Sequence, residues 1–261
     1  MTQLSLFSAD LTPPQLADLG GLLAAHGQLT AGPDGVRLSI LLGDRWRATA
    51  LLRECRVRDI PAEITEPVGP AGGVRTTEPV AVARSASGAD HAAGTDTGHP
   101  APPVLLAQSG DVTTPRDATA RLDVTESVRA SESLLFRGIL LGTERLPSLG
   151  PVAADWTRGA VKSVPEGLVI TAGFLRCWTL AAGRPAEIGF LLGLDPHAPD
   201  TYEPLAAACA AAGLTGSLLG IRGSGPAVRI VGHRRCTRFA EMIGSPPPEA
   251  PEHAFPAHGY H

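Results

Sequence analysis

Lysine is nearly absent from this chain: of its 22 basic side chains, only Lys162 is not an arginine. Against 26 acidic residues this leaves a net charge of -4, which excludes a protein that coats nucleic acid or membrane with its whole surface. Any contact with a polyanion must be local. Aromatics make up 4% of the residues, too few for a platform on which single-stranded bases stack, and Trp46, Trp156 and Trp178 read as core. Cys55, Cys177, Cys209 and Cys236 form no C-x-x-C pair and have no metal-finger spacing. They are expected to be small buried hydrophobes in a reducing cytoplasm, with no disulfide framework, no metal and no cofactor. There is no run of about 18 apolar residues, so no membrane span is expected. Met1 to Asp10 lacks the basic and apolar segments of a secretion signal.

What the chain does have is 30 glycines, 24 prolines and abundant alanine, the composition that high-GC coding produces, together with 43% hydrophobic residues, enough for a packed core. The pattern divides it into residues 1–78, a first folded unit; 79–150, an insertion; 151–245, the end of the first unit and a second unit; and 246–261, a loose Pro-rich tail. The insertion is filled with Gly, Ala, Ser, Thr and Pro, as in Ser85 to Gly98. Such a stretch cannot bury enough apolar surface to offset a chain entropy of roughly 1–2 kcal/mol per residue, and it is expected to be largely disordered. Its apolar exception, Ser133 to Leu141, is either a short docked strand or helix or a segment that binds a protein partner.

In the first unit Thr12-Pro13-Pro14 opens a helix, with Thr12 as N-cap, that runs through Leu16, Leu19, Leu22 and Leu23 to Gly27. A strand over Val36 to Leu42, a helix over Arg45 to Asp59 and a strand from Ala62 follow. The second unit repeats this order: a helix over Gly173 to Ala182, a strand over Glu187 to Leu194 and a helix over Thr201 to Gly213. Strands over Gly216 to Ile221 and Ala227 to Val231 and a helix over Arg234 to Ile243 complete it. A helix over Val152 to Val161 is expected to complete the first unit. Gly20, Gly21, Ala24 and Ala25 would let the first helix approach a partner backbone closely, with Ala181 and Ala182 supplying the matching small face.

The nine residues Leu19 to Gly27 align without a gap with the signature of the LAGLIDADG fold, matching at its first, third, fourth and ninth places. The longer pattern, Leu16 to Leu29 with Val36 to Ile64 and Phe174 to Gly183 with Gly213-Leu214 and Ala227 to Gly244, resembles the WhiA sporulation-regulator family. In that family a degenerate LAGLIDADG body precedes a helix-turn-helix domain, and only 17 residues follow Gly244 here. The resemblance implies an α/β (α+β) chain built as a pseudo-two-fold pair of LAGLIDADG-like units with saddle-shaped sheets. In active enzymes of the fold, acidic residues at the ends of both signature helices hold divalent cations; the matching positions here are His26 and Ala182. Alanine cannot ligate and a lone imidazole suits magnesium poorly, so the resemblance implies a protein that does not cut.

Other catalytic patterns are weak. Gly220-x-x-Gly223-x-Gly225 and Gly69-x-x-x-Gly73 lack the lysine and setting of a phosphate loop, no Gly-x-Ser-x-Gly elbow occurs, and Asp195-Pro196-His197 reads as a capped turn. The densest charge is Arg222, Arg229, Arg234, Arg235 and Arg238, five cations with no acid until Glu241, and arginine suits bidentate phosphate contacts. A second group, Arg45, Arg47, Arg53, Arg56 and Arg58, alternates with Asp44, Glu54 and Asp59 and reads as a solvated, salt-bridged face. The expected activity is non-catalytic binding of double-stranded DNA through the first cluster. A protein-interaction module is the alternative, and a residual metal-dependent nuclease ranks last.

Overall fold

Two prolines and one carboxylate decide where the first helix starts. Pro13 and Pro14 hold the chain out of helical geometry, and the Asp18 carboxylate accepts a hydrogen bond from the Gln15 N–H at 2.8 Å. The helix therefore begins as a 3-10 turn, Leu16–Leu19, and continues as α1 (Gly20–Ala24). Thr12 is not its cap; the Thr12 hydroxyl donates instead to the Ser8 carbonyl at 2.9 Å. These coordinates are a computed structural model, and it describes residues 8–66, 138–220 and 225–256.

After α1 come strands β1 (Gln28–Gly32) and β2 (Gly35–Leu42), helix α2 (Arg45–Arg56), strands β3 (Ala62–Thr65) and β4 (Ile139–Thr143), and helix α3 (Gly150–Trp156). In β2 Val36, Leu38, Ile40 and Leu42 are buried while Arg37, Ser39 and Leu41 alternate with them on the other face. A small hairpin, β5 (Thr157–Arg158) and β6 (Val161–Lys162), leads to α4 (Ala172–Ala182), capped by the Thr171 hydroxyl, which accepts from the Phe174 N–H at 3.0 Å. The chain continues through β7 (Gly183–Pro185), β8 (Phe190–Gly193), α5 (Tyr202–Ala211), β9 (Gly216–Leu219), β10 (Ala227–Ile230) and α6 (His233–Ile243).

The protein is α+β, with two four-stranded antiparallel sheets. Their orders are β1-β2-β4-β3 and β7-β8-β10-β9. Each half runs helix, strand, strand, helix, strand, strand, helix, and in each the fourth strand inserts between the second and third. Helices cover one face of each sheet, where Leu38, Ile40, Leu141, Phe190, Leu192, Val228 and Ile230 join Leu22, Leu51, Trp178 and Phe239 in one core. All described elements belong to one of two units of the chain; residues 69–130, the other, lie outside the described residues.

Helices α1 and α4 pack directly on each other. A methyl on Gly21 would lie 2.3 Å from the Phe174 carbonyl oxygen and 2.6 Å from the Trp178 nitrogen, so the two backbones meet where only glycine fits. Gly20 lies against the rings of Trp156 and Phe174, and Ala24, Ala25 and Ala181 are buried. Ala182 differs: its methyl points toward Gly193 in β8.

Several boundaries differ from the sequence reading. The expected insertion over 79–150 ends earlier, because Ile139–Thr143 is an interior strand and Pro147–Leu149 a 3-10 turn leading into α3. The apolar run Ser133 to Leu141 is thus partly strand; Ser133 to Arg137 lie outside the described residues. The helix expected over Val152 to Val161 stops at Trp156 and turns back as the β5–β6 hairpin. Edge strands β1 and β7 were not expected: β1 is five residues long with Leu29 alone packed against the core, and β7 has three residues including Pro185. The tail is not loose as far as Pro256, since Phe255 is 2% exposed in the core and Glu249 forms an ion pair with Arg53.

Gly21→Ala should lower stability by about 1–3 kcal/mol through overpacking, and more than Gly20→Ala, whose neighbours are ring atoms that can yield. Urea midpoints of the two variants check this; equal midpoints would show that the backbone contact is not tight.

Candidate nucleic-acid interface and the charged ends of the seam

The sheet faces turned away from the helices are fixed by register. On the first sheet Gln28 pairs with Ser39 and Thr30 with Arg37, Ser39 and Leu41 stand opposite Gly142 and Leu140, and Glu63 and Thr65 stand beside those two. On the second, Arg184 and Arg229 flank Leu191, and Ser217 lies across from Arg229. Arg145 reaches the first face too, donating to the Thr30 carbonyl at 3.0 Å and lying over Gly32. The two outer faces therefore carry Arg37, Arg145, Arg184 and Arg229 against Glu63 and Glu144, whose N–H extends the β3–β4 ladder to the Pro61 carbonyl. The Arg37–Glu63 contact, at 3.8 Å with both side chains well exposed, neutralises little.

The five-arginine cluster expected from the sequence does not stay together. Arg222 lies outside the described residues. Arg229 is on the outer face, opposite the buried Val228 and Ile230, and its Nε donates to the Ile188 carbonyl at 3.2 Å. Arg234, Arg235 and Arg238 are exposed on α6, whose Phe239 packs on Phe190 at the helix-covered face. Arg235 donates to the carbonyls of Val231 and Thr215, and Arg238 to that of Ala212 at the end of α5. Arg229 is thus on the face turned away from the helices, and these three are on a helix of the covered side.

The second arginine group is salt-bridged, but only in part solvated. Arg45 pairs with Glu66 and Arg53 with Glu249, whereas Arg47 and Arg58 are buried. Arg58 binds Asp18 at 2.9 Å and Glu54 at 2.8 Å, and Glu54 binds Arg176 at 2.7 Å. Asp18 also accepts from the Thr171 hydroxyl at 2.7 Å, so one carboxylate stands at the N-terminal ends of both α1 and α4, where a helix favours negative charge.

The opposite ends of these two helices each hold a cation, Arg47 buried and Lys162 mostly so. Lys162 donates to the carbonyls of Leu23, Ala25 and Gly27 at 3.0, 3.2 and 2.8 Å and to Asp195 at 2.5 Å. Arg47 donates to the carbonyls of Thr179, Leu180 and Gly183 and, through Nε, to Asp44 at 3.1 Å. Asp44 and Asp195 hold matching places, each just beyond the second strand of its half, after Leu41-Leu42-Gly43 and Leu191-Leu192-Gly193-Leu194. The arrangement is crossed: the aspartate of each half holds a cation on the seam helix of the other. Cations there offset the negative helix ends and occupy carbonyls that a helix terminus leaves unbonded.

Burial pushes the Lys162 ammonium below its usual value, against the raising effect of Asp195. For Asp195, burial works upward, but hydrogen bonds from Lys162 and the His197 N–H prevail and hold the carboxyl below its ordinary 3.8. Asp195 thus heads the capped turn expected at Asp195-Pro196-His197 and also anchors Lys162. Burial raises the Cys55 thiol to about 11 and Cys209 to about 12, which makes both poor nucleophiles; all four cysteines are buried.

His26, at the end of α1, is bonded to the Leu41 carbonyl at 2.6 Å. Among the described residues no three His, Cys, Asp or Glu side chains gather as a metal site, and no helix is long and apolar enough to cross a membrane. Sequence reasoning missed Lys162, Arg47 and Asp18, although two signals were present: the single lysine and the repeated Leu-Leu-Gly followed by aspartate. No family model matches the chain, and no curated protein matches it.

Lys162→Met strands a buried carboxylate and should cost about 3–5 kcal/mol in denaturant titration. Because the Asp195 carboxyl is lowered in the folded state, its contribution is present at neutral pH and is lost as pH falls below 3.8 through the lowered value. Asp195→Asn should flatten the acid limb of the stability curve; an unchanged limb would count against an ionised Asp195.

Proposed function

We propose that the chain is a degenerate LAGLIDADG-type protein of the WhiA-like kind that binds double-stranded DNA without cutting it, in a transcription-associated role. The observation that carries the binding reading is the charge on the outer sheet faces, four arginines against Glu63 and Glu144, in a chain whose net charge is -4. Arginines on a sheet face suit phosphate oxygens, while Gln28, Thr30, Ser39, Thr65 and Ser217 between them offer hydrogen bonds to base edges. The family reading is supported by the two halves of equal strand order and by α1 and α4 meeting at Gly21.

The non-cutting reading rests on the seam-helix ends. His26 is tied to a carbonyl, Ala182 has no ligating atom, and Asp44 and Asp195 are engaged by Arg47 and Lys162. A divalent ion held there would have to displace a protein cation from its carboxylate. Of the segment in the protein-partner reading, Leu140 and Leu141 pair with both β2 and β3 and Ile139 with β2, and Ser133 to Arg137 lie outside the described residues.

Binding of a random-sequence duplex should weaken steeply between 50 and 200 mM salt. The double variant Arg145→Ala/Arg229→Ala should weaken it further and reduce the log–log salt slope by about 2. Arg234→Ala, on the helix-covered side, should leave the curve in place. Fluorescence anisotropy across a salt series measures all three, and an unchanged slope in the double variant would remove the outer faces as the interface. Nicking of plasmid by the wild-type protein with magnesium or manganese would overturn the non-cutting reading.

A further inference from the structure

Four oxygen atoms converge on one point, the Nζ of Lys162: the carbonyls of Leu23, Ala25 and Gly27 and the Oδ2 of Asp195, at 2.5 to 3.2 Å. An ammonium has three protons, so four acceptors exceed its hydrogen-bonding capacity. Three carbonyls and a carboxylate are instead the oxygen set that a hard cation of the calcium class selects. The oxygens come from both halves, α1 and the turn after it in one and the loop after β8 in the other, and the nitrogen comes from the β5–β6 hairpin between them. The site is mostly shielded from water, with the Lys162 side chain 12% exposed and the Asp195 side chain 2%.

The end of α4 has a similar set of acceptors but no common point. Arg47 distributes Thr179, Leu180, Gly183 and Asp44 over its separate nitrogens, the fork geometry of a guanidinium. Only the lysine end has the form of a coordination shell. We infer that Lys162 is a tethered cation in an oxygen-lined site, and that cutting its side chain back to alanine lets the site take a free divalent cation of the calcium class. The vacated stem leaves room for waters to complete six to eight ligands, and the carbonyls, now 2.8 to 3.2 Å from the nitrogen, need to close in by roughly 0.2–0.9 Å to reach about 2.3–2.6 Å. In the native chain the consequence is that the seam needs no exchangeable metal. This inference does not depend on DNA binding.

Thermal unfolding of the full chain tests it, with calcium chloride, magnesium chloride and potassium chloride compared at equal ionic strength. Wild-type Tm should not move with calcium or with a chelator. Lys162→Ala should unfold at lower temperature and regain about 3–6 °C at calcium tenfold above its dissociation constant. Magnesium, which demands stricter octahedral geometry, should restore less, and potassium nothing beyond its ionic strength. Adding Asp195→Asn should abolish the gain, and Arg47→Ala should lose stability with no recovery in calcium. The inference is overturned if Lys162→Ala gains no more from calcium than from potassium, if the gain survives Asp195→Asn, if wild type gains as much, or if circular dichroism shows the variant unfolded with and without calcium.

Discussion

The approach of α1 to α4 is the constraint on which the rest of the fold depends. With 2.3 Å between a hypothetical Gly21 methyl and the Phe174 carbonyl oxygen, the two helices are closer than side chains allow. Each sheet then packs against helices of a shared central layer, which is why one core runs from Leu38 and Ile40 to Phe190 and Val228. Glycine in a helix costs roughly 0.5–1 kcal/mol relative to alanine, and the contact made at Gly21 offsets that cost.

Bringing two helices so close aligns their dipoles, and charge is placed at both ends accordingly. At the N-terminal ends Asp18 serves both helices, held by Arg58, which links to Glu54 and Arg176. At the C-terminal ends Lys162 and Arg47 meet the last carbonyls, each fixed by the aspartate after its partner strand. Buried ion pairs add little net stability compared with apolar packing, yet removing one partner is costly because it leaves an uncompensated buried charge. Because each aspartate and the helix end it serves belong to different halves, neither half satisfies its helix end alone.

The same geometry divides the surface. One face of each sheet is buried under helices and the other is left to solvent, so strand alternation alone sends Arg37, Arg184 and Arg229 outward. Sequence proximity grouped Arg229 with Arg234, Arg235 and Arg238. Arg229 is on the open face and the others are on a helix of the covered side, where two of the three bond nearby carbonyls. The positive charge on the outer faces is assembled across both halves from residues more than a hundred positions apart, such as Arg37 and Arg184.

The sequence by itself determined the α+β class, the repeated order of the longer elements, and the small residues at the seam, because periodicity and glycine are local properties. It also determined that β2 would alternate, since Val36 to Leu42 carries the pattern in its own residues. The strand at Ile139–Thr143 and the placement of Lys162 were decided by tertiary structure, because their hydrogen-bond partners lie far along the chain, whereas edge strands β1 and β7 pair locally with β2 and β8 but are too short to carry a pattern of their own. A lone lysine has no periodicity to read; only the meeting of α1, the β5–β6 hairpin and the loop at Asp195 gives it four oxygens to hold.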